Sequence, residues 1–345
     1  MSSVTQRINT IKQPKGGYIP PKEFEISKKS DNEVLKGENI PANMVGLVVD
    51  YMTRFQLGTP AKEAFKISLL GAGRINQANN ANMLLKNINE LDNNSIISAC
   101  KLVGYDTCFR AGIETYKPVE QINPDQNTID NIKTMIKRSV TFFKQNGPVI
   151  KDGFTFEGGY TDVISRGDGD FLTEDTLWDL KVLSGNITSK NTLQLLIYYV
   201  MGKHSINSEF NNIKYLGIFN PRKNMIYKKR ISDISNNIIK TIEDNVICYN
   251  KTNLVDEKLD MSDIMKLLGC SRHMVMKYYT QYDLPLYKEN NKYYMNMSDY
   301  EIYRENRLRL SEQTKKEDLI LAIIALVILV SVAIFCFNKI FFEGV

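Results

Sequence analysis

The chain has 345 residues, a mass of 39.5 kDa, 43% apolar residues, 24% charged residues and a formal net charge of +5. This is ordinary globular chemistry with room for two or three domains of about 100–200 residues each, and it excludes a wholly disordered chain, a collagen-like fibre and a polytopic membrane protein. The mild basicity permits contact with nucleic acid or anionic lipid without requiring either. The five cysteines, Cys100, Cys108, Cys248, Cys270 and Cys336, form no C-x-x-C pair, which argues against a disulfide framework or a zinc ribbon and for a reducing compartment.

Residues 1–36 are polar and basic, with Gly16-Gly17, Pro20-Pro21 and scattered lysines, and read as a flexible arm without an apolar signal region. Met44, Val45, Val48, Met52 and Phe55 then recur at helical spacing over residues 42–56. Thr59-Pro60 opens a longer helical stretch to about Val103. Ile129, Ile132, Met135, Ile136 and Val140 predict a helix over 128–144, stopped by Gln145-Asn146-Gly147-Pro148. Residues 154–183 are aromatic, β-branched and broken by glycines, the texture of strands. Helix returns over 192–203, and two strands, 213–219 and 225–231, flank the turn-forming run N-P-R-K-N. An amphipathic helix over 232–249 closes the pattern, so residues 37–250 read as one α/β domain. A small module over 251–306, a charged linker over 307–318, an apolar run over 319–337 and a short tail over 338–345 complete the chain.

The stretch richest in chemistry is G-D-G-D-F-L-T-E-D-T-L-W-D-L-K, residues 167–181. If Glu174-Asp175 is a two-residue loop, the hairpin's partners have numbers summing to 349, which sets Asp170 opposite Asp179; the pair is not the favoured Asn-Gly or Asp-Gly, and a bulged loop would shift that register. Lys181, two residues on, shares their face, while Trp178 and Leu180 point the other way. Opposed carboxylates repel. A divalent cation with hard oxygen ligands relieves that repulsion and leaves positions for water and phosphate, so this face suits magnesium-assisted phosphodiester hydrolysis. A solvated hairpin with a salt bridge is the plainer reading of the same residues. Gln194 and Tyr198 lie one turn apart on the next helix, either at a site edge or on a polar rim.

Taken in order, G-D-F-L, T-L-W-D-L-K-V and Q-L-L-I-Y-Y resemble the PD-(D/E)XK nuclease superfamily, and within it the RecB-type branch with a Q-x-x-x-Y motif. The resemblance spans about residues 40–250. It implies a restriction-endonuclease-like core, a small mixed sheet flanked by helices, and Mg2+ (or Mn2+) as cofactor. It further implies that Asp170, Asp179 and the Leu180 carbonyl are metal ligands, Lys181 the catalytic lysine, and Gln194 and Tyr198 supporting or DNA-contacting residues. Such proteins add an acidic residue or histidine from an early helix. Here Asp50 is available for that role, or it pairs with Arg54 one turn on.

In the second module, residues 261–268 form a short helix stopped by Gly269, and Ser271 is a good cap for a second helix to about Tyr279. A hairpin-like L-P-L-Y-K-E-N-N-K-Y-Y-M-N follows, then a helix from Ser298. This resembles the winged helix-turn-helix of the MerR and excisionase families. The resemblance implies that Arg272, His273, Lys277 and Tyr278 face a DNA groove, with Lys288 and Lys292 near phosphates. A homo-oligomer contact or a protein partner is the other use of such a module.

The run 319–337 holds 19 residues without a charge, about 28 Å as a helix against a bilayer core of about 30 Å. Arg307, Arg309, Lys315 and Lys316 precede it and only Lys339 follows. The expectation is a single-pass C-terminal transmembrane helix in a lipid bilayer, with the bulk of the chain cytoplasmic; an oligomerising apolar helix is the alternative. The whole chain is thus expected to be a membrane-anchored, metal-dependent DNase with a helix-turn-helix adaptor. A non-catalytic DNA-binding membrane tether on a nuclease-like scaffold is the rival. Neither endonuclease nor exonuclease action is specified.

Overall fold

The computed structural model describes residues 2–29, 31, 35, 37–249, 258–297, 299, 300, 303 and 304, in two units, Met1–Lys251 and Thr252–Val345. The first unit begins with a correction. The segment expected as a flexible arm forms Ser2–Ser3 (β1), Val4–Thr10 (α1) and Glu25–Lys28 (β2). Ser3 and Gln6 close a capping box at the start of α1. Val4, Ile8, Tyr18, Ile19 and Phe24 are buried, and the Thr192 hydroxyl donates to the Ile19 carbonyl at 2.7 Å. These apolar residues are scattered among polar ones with no local period, so partners distant in sequence decide their burial.

Ala42–Gln56 (α2) follows its apolar spacing and buries Val45, Val48, Val49 and Met52. The single helical stretch expected to Val103 is divided into Ala61–Ala64 (α3), Lys66–Arg74 (α4), Ala78–Lys86 (α5) and Asn93–Val103 (α6). Asn76, at φ +58°, breaks the chain between α4 and α5, and the Asp92 carboxylate caps α6 by accepting from the Ser95 N–H at 2.7 Å. Asp106–Arg110 (α7) and Gln126–Asn146 (α8) follow, with Asp125 capping α8.

The strands come next: Val149–Thr155 (β3), Ile164–Arg166 (β4), Asp168–Thr173 (β5) and Thr176–Leu180 (β6). Ser189–His204 (α9) leads to Tyr215–Asn220 (β7) and Met225–Arg230 (β8). One six-stranded mixed sheet runs β2-β8-β7-β6-β5-β3, antiparallel throughout except for β6 beside β7. The closing helix expected over 232–249 is instead Asn236–Thr241 (α10) and a π-helical turn, Ile242–Ile247, which Cys248 ends at φ +65°.

Trp178, Leu180, Phe171, Phe219 and Ile226 join α2, α6 and α8 in the main core. Phe142 of α8 stacks on Phe219 at 4.1 Å and meets Trp178 edge-on at 4.8 Å. Strand alternation turns Leu177 and Asp179 away from that core, and α9 packs over β6 and β7. Gly217 of β7 lies so close to the Trp178 ring that an added Cβ would run into it. Gly217→Ala is therefore expected to cost about 1–3 kcal/mol, read as a lower urea midpoint.

In the second unit Lys258–Leu259 (β9) precedes Met261–Leu268 (α11), which Asp260 caps and Gly269 ends at φ +60°. After a short turn come Arg272–Gln281 (α12), Tyr287–Glu289 (β10) and Lys292–Asn296 (β11). Asn290 and Asn291 both take positive φ, +47° and +62°, which is the geometry of a tight two-residue hairpin loop. The three strands pair as β10-β11-β9 over a small core of Leu259, Ile264, Val275, Leu284, Leu286 and Met295. The linker 307–318, the apolar run 319–337 with Cys336, and the tail 338–345 lie outside the described residues. Among the described residues no helix is long and apolar enough to cross a membrane.

Candidate active site

The β5–β6 hairpin positions the central residues. Phe171 pairs with Trp178 and Leu172 with Leu177, partners whose numbers sum to 349. One step further along that register, Asp170 and Asp179 stand opposite each other, on the face away from the main core. The Leu180 N–H donates to Asp170 Oδ2 at 2.7 Å and so orients that carboxylate. The Lys181 N–H donates to the Phe219 carbonyl at 2.9 Å, extending the β6–β7 pairing by one residue. That step keeps Lys181 on the Asp179 face, and its Nζ lies 3.1 Å from Asp179 Oδ1.

Asp179 is 1% exposed, and among the described residues the Lys181 ammonium is the one cation within an ion-pair distance of its carboxylate. Burial pushes its pKa up to about 7, with Asp170 adding to the rise and Lys181 opposing it. Burial works against the Lys181 charge as well, but Asp179 and Asp170 outweigh it and hold the ammonium above the ordinary lysine value. The two carboxylates therefore favour the charged form of Lys181 while no metal is bound to them.

Asp50 lies close by on α2, and Arg54 grips it with two hydrogen bonds, Nε to Oδ1 at 3.0 Å and Nη2 to Oδ2 at 2.7 Å. The same Nη2 is 3.9 Å from Asp170 Oδ1. Burial raises the Asp50 carboxyl to about 7, against the pull of Arg54. On α9, Gln194 Nε2 donates to the Tyr198 hydroxyl at 2.8 Å, and the Tyr198 ring stacks on Phe156 at 5.1 Å. Burial, with Asp168, Asp179 and Asp170 nearby, holds the Tyr198 hydroxyl well above its usual pKa, so it is a neutral donor.

The structure thus brings Asp170, Asp179, Leu180, Lys181, Gln194 and Tyr198 together, with Asp50 joined to them through Arg54. It also adds residues the sequence reading did not single out. Asp168 sits two residues before Asp170 on the same strand face, and Arg110 Nη2 donates to Asp168 Oδ2 at 3.1 Å and to the Tyr51 hydroxyl at 3.2 Å. Tyr51 in turn donates to the buried Asp106 at 2.6 Å, which also accepts from Ser68. The alternation in G-D-G-D was a local signal for Asp168. Arg110 had none, because α7 meets β5 only in the folded chain.

The group suited to a metal is Asp170 and Asp179: two facing carboxylates, one of them buried beside a single lysine, are the acceptors a hard divalent cation satisfies. Among the described residues no three His, Cys, Asp or Glu side chains converge to hold a metal ion by themselves, so backbone oxygen or water would have to complete the shell. In the second unit Arg272, His273 and Lys277 are exposed on α12, and Lys288 and Lys292 are exposed on the β10–β11 hairpin. Tyr278 is half-buried against the small core and edge-on to Tyr282, so it does not share their exposure. No protein-family model, curated protein or solved structure matches this chain.

Proposed function

We propose that the chain is a metal-dependent nuclease of the PD-(D/E)XK type. The observation that carries this reading is the buried carboxylate of Asp179, facing Asp170 across the hairpin, with the Lys181 ammonium at 3.1 Å as its one close cation among the described residues. Such a group is costly to bury, and a fold keeps it where a cation or a reaction uses it. Asp170 and Asp179 would hold the divalent ion, with the Leu180 carbonyl available as a further ligand. The ion, when bound, polarises the phosphodiester and lowers the pKa of a coordinated water. Lys181 orients the attacking water or balances the charge that develops on the phosphate. Gln194 holds the Tyr198 hydroxyl as a neutral donor at the rim.

The test incubates the full chain with linear, circular and single-stranded DNA, with and without Mg2+ or Mn2+. Metal-dependent cleavage is expected, and Lys181→Ala is expected to lower its rate by about a hundredfold or more, the scale of losing one charged group at a phosphoryl centre. No cleavage of any substrate, or equal cutting by Lys181→Ala and Asp179→Ala, overturns the reading and leaves the tether.

The second unit serves as a winged helix-turn-helix that delivers DNA, with α12 as the reading helix and the β10–β11 hairpin as the wing. In metal-free buffer, where cleavage is off, Arg272→Ala and Lys277→Ala are each expected to weaken DNA binding and to reduce the slope of log K against log salt by about 1. Unchanged salt slopes point to a protein partner instead. The 319–337 run anchors the assembly in a membrane, with the nuclease on the cytoplasmic side.

A further inference from the structure

Arg54 is held more firmly than an i, i+4 pairing requires. Its guanidinium makes two hydrogen bonds to Asp50 and lies between the rings of Tyr51 and Phe171, at 5.6 Å and 5.8 Å. Gly153 of β3, at φ +53°, makes room for it: a Cβ there would collide with Nη1. From this seat Nη2 approaches Asp170 Oδ1 at 3.9 Å. In two-metal nuclease sites the ions stand about 3.5–4 Å apart and share a carboxylate. Here Asp170 faces the metal position at Asp179 on one side and a fixed guanidinium on the other. The two other acids nearby are already engaged: Arg54 takes both oxygens of Asp50, and Arg110 holds Asp168.

The charges agree. With Asp168 balanced by Arg110, the ionised carboxylates of Asp50, Asp170 and Asp179 set three negative charges against the two positive charges of Arg54 and Lys181. One divalent ion and one phosphodiester bring the group to neutrality, whereas a second ion leaves a buried excess of two positive charges.

We propose that Arg54 is a built-in cation standing where a second metal ion would stand, so that this site takes one divalent ion, at Asp170 and Asp179. The inference rests on the nuclease reading above and deepens it. Arg54 is a positioning residue in this scheme: it fixes Asp170 and supplies charge, and Asp50 is its anchor, not a ligand.

The test counts bound Mn2+ on the metal-free full chain by calorimetry, with free Mn2+ followed by electron paramagnetic resonance. One ion is expected to disappear in Asp179→Asn. Asp50→Asn is expected to keep that ion with its Kd changed by no more than about threefold. Arg54→Gln is expected to bind one ion more than the parent. Two ions lost in Asp179→Asn, a Kd raised about tenfold or more in Asp50→Asn, or no added ion in a folded Arg54→Gln overturns the role given to Arg54. If Arg54→Gln does not fold, the parent count and Asp50→Asn decide. No ion bound to the parent at all removes the nuclease reading itself.

Discussion

Asp179→Asn is expected to be more stable than the parent chain when metal is absent, and to cut DNA at least about a thousandfold more slowly when metal is present. The two effects share one cause. The Asp179 carboxylate is buried with the Lys181 ammonium as its one close cation among the described residues, and burial outweighs that cation and lifts its pKa from 3.8 to about 7. A folded-state pKa above the unfolded value means that the folded chain binds the proton more tightly. Asp179 therefore contributes its full stability below about pH 4 and loses it progressively as pH rises through the window to about 7. Asp50, also raised to about 7, acts in the same direction. The metal-free parent is expected to lose stability between pH 5 and pH 7, and Asp179→Asn is expected to remove on the order of 1–3 kcal/mol of that loss. Bound metal reverses the trend, because the ion takes only the ionised carboxylates and its stabilisation grows with pH. Urea unfolding at pH 5 and pH 7, with and without Mg2+, checks each part. An Asp179→Asn chain that is less stable at pH 7 without metal would refute the account of Asp179 as a costly buried charge.

Arg54→Ala is expected to destabilise the chain by about 3–5 kcal/mol at pH 7, the usual result of stripping one partner from a buried ion pair. Asp50 and Arg54 are 14% and 9% exposed in their side chains, so water cannot replace the lost guanidinium. The loss is expected to shrink at pH 5, where Asp50 takes up a proton and no longer needs a cation. Asp50→Asn combined with Arg54→Met is expected to recover most of it, since the pair is then replaced by neutral groups of similar volume. The urea midpoints of the two single variants and the double variant form the test. A double variant as unstable as Arg54→Ala would show that the guanidinium acts through its packing on Tyr51 and Phe171, not through Asp50.

Local periods made much of this architecture legible in the sequence. The apolar spacing of Val45, Val48 and Met52 marks α2, and Ile129, Ile132, Met135 and Ile136 mark α8. The hairpin was readable for the same reason: a two-residue loop sets the register, and the period of two then places Asp170, Asp179 and Lys181 on one face. Where no local period exists, the reading failed. Val4, Ile8, Tyr18 and Ile19 look like stray apolar residues in a solvated leader, yet α1 packs on α9 and β2 pairs with β8, about two hundred residues away. The closing helix was smoothed over for the opposite reason, since its apolar period continues through the π turn that splits it.

The helices with a strong apolar stripe, the hairpin register and the identity of the facing carboxylates and lysine are legible along the chain, because each depends on residues within about one turn or one strand of one another. Contacts between distant segments give Arg54 both oxygens of Asp50 and its approach to Asp170, set Arg110 on Asp168, and bury Asp179 with Lys181 as its one close cation among the described residues. Those facts depend on α2, α7 and the β5–β6 hairpin meeting across the sheet. Whether a carboxylate is solvated, paired or left waiting for a cation is set by what surrounds it in space, not by its neighbours along the chain.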